Sequence, residues 1–564
     1  MPDANADHPL ELAAQRVRQL EQQALDMHDR AQLLNKEGRF TEAQEAYAAM
    51  HRLEDEASEL AATVGCVVCV LGDAPQQDAS AEPSLCTTDP AVFKPYYQLQ
   101  PALPWPTAAT AAPTTTATVP TAAGGLPEAA LRGRAVGCVL GSALADAAAM
   151  GVHWMYDLGA LEELAAERRP QEAGREEEAG SPGPHTGLRR EHPYGWGLEF
   201  MDPPRSPFYA YASGRNSPYG EQTLALLRSL ADQGGLHGGA YADTFAAVFG
   251  PDSGFDGYRD VSTKGFLRNH VRGMPPPLSG ANDAQANCIA RLAPLAAAFA
   301  APAPPGPAPA PSASSAIPVP RDGADAGGPA AGLLRCVELA TRVTQNTDAA
   351  VAWACVGAAV LERMLLGGSA LAAVEQTLAE LEGPQGRLAP HCGPLAPELA
   401  GHLRRVLQLR TTPVPEAVAE LGRNCHMPNA LQTPLLVVLY VEHLAAGQSG
   451  GGSGGDAGGR GEGVVLRGGG SGGGDVVQAA VLPAEAFVWG VRLAVREGGC
   501  CASRAAYVGA CLGALTAGGG VGGAGGGEDL PARWVAKYTA AEQVRSWALQ
   551  ICEARSRASG GSVA

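Results

Sequence analysis

Asn216–Leu230 reads NSPYGEQTLALLRSL, and its punctuation specifies a helix with an abrupt start. Ser217 is a good N-cap, and Pro218 suits the first helical position, where its missing N–H would have no partner anyway. Leu224, Leu226, Leu227 and Leu230 then recur at helical spacing, so one face is buried. Glu221, Gln222 and Thr223 place three oxygen-bearing side chains near the first turn. The positive end of the helix dipole favours an anion or a phosphate there. Two readings fit this stretch alone: a capped core helix whose Glu offsets the dipole, or one wall of a ligand site.

Working outward, HPYGWGLEFMDPPRSPFYAYASGRNSPYGEQT (192–223) is a long aromatic loop leading into this helix, and such loops commonly line pockets. Further upstream, RGRAVGCVLGSALADAAAMGVHWMYD (132–157) carries Gly137, Gly141 and Ala145 four residues apart. That spacing lays small residues along one helix face and lets a second helix approach closely. Asp146 lies within this apolar run, where a carboxylate is costly unless it is paired or coordinates something. Residues 168–190 are charged and rich in Gly and Pro, and read as a loop. Downstream, further helices are expected near 239–249, 282–300, 331–345, 348–366, 369–381, 396–408, 428–446, 484–497, 503–516 and 532–555. The segment 348–366 is apolar nearly all round, which marks a central buried helix. Strand signal is scarce, so the expected fold class is all-α, a large multi-helix bundle.

The chain has 564 residues, a length that suggests two to four domains. Much of its 72 Gly and 44 Pro falls in tracts unable to form a core, which leaves roughly 400 residues to fold. The expected organisation is a helical hairpin with a short apolar run over 1–72, a Pro/Ala/Thr-rich linker over 73–126, and an all-α domain over 127–556. Insertions of low complexity lie near 301–328, 448–475 and 517–528, and 557–564 form a tail. In the hairpin, Leu10, Ala13, Val17, Leu20 and Ala24 hold helical spacing, and AQLLNKEGRFTEAQEAYAAMHRLEDEA resembles one tetratricopeptide-type unit. A single unit buries its face by self-association or by docking a protein partner, so residues 8–61 are the candidate partner surface.

The net charge is −17, with no basic stripe, which argues against a nucleic-acid partner. No secretory signal is visible, and charges interrupt the longest apolar runs, so no membrane partner is expected. The 13 Cys are scattered and odd in number. That fits reduced, buried thiols in a soluble intracellular protein of the cytoplasm better than a disulfide framework. Cys66 and Cys69 form a C-x-x-C pair without the βαβ context of a redox site. Cys500/Cys501, Cys425/His426 and His391/Cys392 are adjacent pairs, whereas zinc ligands prefer separations of two to four. Cys500 stands where a helix starts, a position that lowers a thiol pKa, but no base stands beside it in sequence; an inert buried thiol is the alternative.

Six stretches together resemble the ADP-ribosylglycohydrolase family, most closely its lens-crystallin-like branch (crystallin J-type). They are GCVLGSALADAAAMGVHWMYD (137–157), SPYGEQTLALLRSL (217–230), GANDAQANCIARLAPL (280–295), VTQNTDAAVAWACVGAAVL (343–361), GRNCHMPNALQTPLLVVL (422–439) and EAFVWGVRLAVREGGCCASRAAYVGACLGAL (485–515). The resemblance implies an orthogonal bundle of helices with one cleft. It also implies hydrolysis of an ADP-ribosyl N- or O-glycosidic bond, usually with two Mg²⁺ ions.

In active members a Thr-Asp-Asp-Thr run opens the early helix and a Gly-Gly-Asp-Thr-Asp-Thr run opens the late one. Here the early run reads Gly220-Glu221-Gln222-Thr223, and the late one Gly498-Gly499-Cys500-Cys501-Ala502-Ser503. One early carboxylate survives as Glu, the other is an amide, and both late aspartates are gone. The resemblance makes Glu221 and Asp146 the catalytic candidates, and Tyr219, Gln222, Thr223, Asp283, Asp348 and Ser503 the substrate-binding ones. Mg²⁺ wants near-octahedral oxygen ligands, and two such ions need several carboxylates between them. Glu221, Thr223 and Ser503 offer at most one weak site. Two functions remain open: a hydrolase with a degenerate metal site, or an inactive crystallin-like binding or structural protein. Convergence of Glu221, Asp146 and Ser503 on a polar cavity favours the first; a space filled by apolar side chains favours the second. The expected partner is an ADP-ribose-like small molecule or an ADP-ribosylated protein.

Overall fold

The structure is a computed structural model. It describes residues 126–178, 197–300, 329–383, 386–449, 481–517 and 530–558, together with scattered helical positions between Arg16 and Leu60. The C-x-x-C pair, the linker over 73–125, the insertions over 301–328, 450–475 and 518–528, and residues 559–564 lie outside the described residues.

The helices in chain order are α1 (Glu128–Ala149), α2 (Leu158–Glu178), α3 (Pro218–Gln233), α4 (Gly238–Phe249), α5 (Val261–Val271), α6 (Leu292–Phe299), α7 (Pro329–Thr344), α8 (Asp348–Leu365), α9 (Ala370–Glu382), α10 (Ala396–Leu409), α11 (Val414–Leu421), α12 (Asn429–Ser449), α13 (Glu485–Arg496), α14 (Cys501–Thr516) and α15 (Ala541–Ala558). Among the described residues there is no β-strand; isolated bridges join Ala281 to Gln345 and Gln285 to His426. The fold class is therefore all-α.

The heart of the bundle is α1 packed antiparallel along α14. A Cβ on Gly137 would meet the carbonyl oxygen of Gly513 at 2.4 Å, and one on Gly141 would meet that of Gly509 at 2.5 Å. Only glycine allows the two backbones to touch this way. The small-residue stripe read on α1 thus has its partner on α14. Helix α8 is buried nearly all round, as its composition suggested, and Tyr507 on α14 donates to the carbonyl of Gly357 at 2.7 Å.

Several expectations are corrected. The charged stretch from 168 is helical as far as Glu178, because its Glu, Arg and Ala are good helix formers that outweigh the lone Pro170 and Gly174. Helices α5 and α11 were not anticipated; α5 buries Phe266 among Ser262, Thr263 and Gly265 rather than an apolar stripe. The helix expected over 282–300 begins at Asn287 and breaks at Arg291. Pro294 lacks the N–H that would bond Ala290, and that carbonyl instead accepts from the Thr223 hydroxyl at 3.2 Å. The helix expected over 532–555 is interrupted between Val535 and Ala541. There Thr539 N–H donates to Gly214 and the Tyr538 hydroxyl to Asn216.

One helix, Glu128–Val152, is long and apolar enough to cross a membrane by length and composition, contrary to the expectation that none would be. Its apolar 18-residue window is wholly buried by the rest of the bundle, which is how the core helix of a large domain meets the same test. The ten described cysteines are all free thiols.

Candidate functional site

Three loops converge at the N-terminal end of α14. The turn Gly498-Gly499 has positive φ at both residues, 60° and 58°, a backbone that favours glycine. Gly499 N–H donates to Met155 and its carbonyl accepts from Trp154, while Cys500 N–H donates to Arg423. The 153–156 segment that leaves α1 and the 423–425 segment before α12 are thereby tied to the start of α14. Because α1 and α14 are antiparallel, the C-terminal end of α1 delivers His153 to this point.

The first turn of α3 forms the neighbouring wall. Ser217 caps the helix through Tyr219 and Gly220 N–H. Asp146, fully buried on α1, accepts from Asn216 Nδ2 and Ser217 N–H at 2.8 Å and from the Ser217 hydroxyl at 2.5 Å. Burial lifts its pKa to about 6 against those hydrogen bonds and the nearby His153 charge. Asp146 thus pins the entry of α3 to α1. A Cβ on Gly220 would lie 2.1 Å from its carboxylate, so this position has no room for a side chain.

The early-run residues all have protein partners. Glu221 pairs with Arg215 at 2.8 Å, and Arg215 also reaches Asp256 at 3.1 Å. Gln222 is buried; its Nε2 donates to Asp260 at 2.7 Å and Thr263 at 3.2 Å, while its Oε1 accepts from Asn287 at 3.0 Å. Thr223 donates to the Tyr219 and Ala290 carbonyls. Asp260 was not anticipated from the sequence. It caps α5, accepts from Asn287 as well as Gln222, and explains the amide at 222. A carboxylate there would face Asp260 as a buried like charge.

Asp283 is nearly buried and accepts from Gln345, beyond which Arg291 anchors Gln345, Thr344 and Tyr241. Asp348 is a surface residue, its side chain 85% exposed, paired with Arg342. Ser503 is buried against Cys500, 2.9 Å from its sulfur. No hydrogen bond or ion pair joins Asp146, Glu221 and Ser503. Tyr219 belongs to an aromatic group beside them: His153 stacks on Trp154 with centroids 4.2 Å apart, and Phe208, Tyr209, Tyr219 and Tyr258 meet Trp154 edge-on. Leu34, Ala46 and Met50 of the N-terminal helical region join the same contiguous apolar cluster, with Cys500. Arg16 and Glu56 pair at 3.5 Å.

These donors do not suit Mg²⁺. The ion needs hard oxygens free to turn towards it, mostly carboxylates and water. Glu221 is neutralised by Arg215, Gln222 is used on both ends, and the Thr223 and Ser503 hydroxyls are engaged inside the protein. Asn287 Oδ1, buried and without a hydrogen-bond partner, adds a single neutral oxygen. Among the described residues no three His, Cys, Asp or Glu side chains are grouped to hold a metal.

Residues 127–560 match the sequence model of the ADP-ribosylglycohydrolases. The chain belongs to the ADP-ribosylglycohydrolase family. Members of that family act on ADP-ribosylated substrates. Crystallin J1A of Tripedalia cystophora is 23% identical over 428 residues, which span 74% of this chain and 96% of the crystallin. Crystallin J1B of the same organism is 29% identical over 126 residues, 22% of this chain and 31% of that protein. Among solved structures, an ADP-ribosylglycohydrolase-related protein complex matches with a TM-score of 0.41 and 17% identity, over 75% of this chain and 99% of that one.

Proposed function

We propose that this ADP-ribosylglycohydrolase-family chain keeps the fold as a crystallin-like binding or structural protein and does not perform two-metal glycosidic hydrolysis. The observation that carries the reading is the Gln222–Asp260–Asn287–Thr263 network. It spends, on internal hydrogen bonds, the position where active relatives carry a carboxylate. The similarity to Crystallin J1A over nearly its whole length supports the same reading.

Isothermal titration of ADP-ribose into the full chain, with and without Mg²⁺, tests it, alongside release of ADP-ribose from an ADP-ribosylated protein. The expected result is no Mg²⁺-dependent binding and no release. Binding that tightens with Mg²⁺ and disappears in Glu221→Ala would overturn the proposal in favour of a single-ion remnant of the hydrolase.

A further inference from the structure

The thiol of Cys500 acquires in three dimensions the base it lacks in sequence. Its sulfur lies 3.6 Å from His153 Nε2, and His153 Nδ1 lies 2.7 Å from the Tyr209 hydroxyl. Burial pushes the Tyr209 phenol up; its oxygen can accept from Nδ1–H, which leaves Nε2 unprotonated and turned to the sulfur. Ser503 Oγ is 2.9 Å from the sulfur, and the Cys425 thiol lies within hydrogen-bonding reach of it. The Tyr219 hydroxyl is buried with no hydrogen bond of ordinary geometry and rests against both sulfurs. Nucleophile, base and base-orienting group thus stand in the order that covalent catalysis requires. The Tyr219 phenol against the two sulfurs is a ready donor for charge that develops there.

The electrostatics agree. Burial raises the Cys500 thiol, but the hydrogen bonds from Cys425 and His153, the charge of His153 and the hydrogen bond from Ser503 more than offset it. The net effect holds Cys500 well below the usual thiol range. Cys425 goes the other way, pushed up by its hydrogen bond to Cys500 and by burial. Cys501, one residue on, is also raised, to about 12, by burial. Of the neighbouring thiols, Cys500 has an imidazole beside it, whereas Cys501 donates to the Ala149 carbonyl.

We propose that Cys500, with His153 as proton acceptor and Tyr209 positioning the imidazole, is a nucleophilic thiol site for a small, uncharged carbon electrophile. The surrounding wall is aromatic, and Arg215 on the adjoining loop is already engaged by Glu221 and Asp256, so a flat, neutral molecule fits better than an anion. In the reaction the Sγ–carbon bond forms and the bond to the leaving group breaks. The leaving group departs with that bond's electron pair, and the thiol proton passes to His153 Nε2. The inference does not depend on the absence of two-metal hydrolysis; it concerns different atoms.

The test is alkylation of the full-length native chain by iodoacetamide at neutral pH, followed over time by peptide mass spectrometry. Iodide leaves with the electron pair, so the modified residue marks the nucleophile. Cys425 is the internal control, because it is the more exposed of the pair. Cys500 is expected to react at least about tenfold faster than Cys425, as thiolate character outweighs exposure. His153→Gln is expected to slow Cys500 by about 10²-fold, and Tyr209→Phe, which keeps the ring packing, by a smaller factor. Thermal melting of each variant separates lost assistance from lost folding, and the Cys500-to-Cys425 ratio in the unaltered chain needs no variant. Equal or faster labelling of Cys425, or an unchanged Cys500 rate in a folded His153→Gln protein, would overturn the proposal.

Discussion

Gly141→Ala and Gly133→Ala add the same methyl group to the same helix and should move stability in opposite directions. Gly141 lies where α1 and α14 touch. Its new Cβ would sit 2.5 Å from the Gly509 carbonyl oxygen, 3.1 Å from the Phe487 ring and 3.2 Å from Gly513 Cα. Ordinary contact needs about 3.5 Å, so the two backbones would part by about 1 Å, a gap that forfeits a quarter to a half of each van der Waals contact it opens. The obstacle is backbone on both sides, so no rotamer change relieves it. The cost should reach the upper end of overpacking, about 3 kcal/mol or more. A Cβ on Gly133 would meet nothing within 4 Å, and there the change should stabilise by about 0.5–1 kcal/mol through reduced unfolded-state entropy. Denaturant unfolding of the two variants, followed by far-UV circular dichroism, reads the difference as opposite shifts in midpoint. A Gly141→Ala cost below about 1 kcal/mol, or equal shifts in the two variants, would refute backbone contact between α1 and α14.

Three further outcomes follow from the site. Asp146 has a folded pKa of about 6 against an ordinary 3.8, so the folded chain holds its proton more tightly than the unfolded one. The associated stability is full below about pH 4 and lost as pH rises through about 6, a fall of about 3 kcal/mol. Asp146→Asn keeps an acceptor for Asn216 and Ser217 and should flatten that part of the stability profile; an unchanged profile would show that Asp146 does not titrate as described. Gln222→Glu sets a second buried carboxylate against Asp260 and should cost about 3 kcal/mol at pH 7, with the deficit shrinking towards pH 4 as the pair shares a proton. A loss that is the same at both pH values would place the effect elsewhere. Met50→Asp buries an unpaired charge in the cluster that joins the N-terminal helices to Trp154. It should speed proteolysis within residues 16–60 and alkylation of Cys500, and no change in either would separate the hairpin from the site.

The sequence by itself determined the all-α class, the capped start of α3, the small-residue face of α1, the buried character of α8 and the family. Each is a local pattern: a cap, a period, a composition or a motif, legible without knowing what lies opposite. It also showed which aspartates were missing. Tertiary structure alone decided what stands in their place. Gln222 is explained by Asp260, 38 residues away, and nothing near position 222 announces that partner. Asp146 reads as a catalytic candidate in its motif, yet both of its oxygens are spent on the loop that opens α3. Cys500 and His153 are separated by 347 residues. The glycines of α1 and α14 were both present in the chain, but their antiparallel contact, which places the end of one helix at the start of the other, arises only when the two faces pack. Side-chain chemistry is set by neighbours within a few ångströms, and in a bundle of long helices most of those neighbours are distant in sequence.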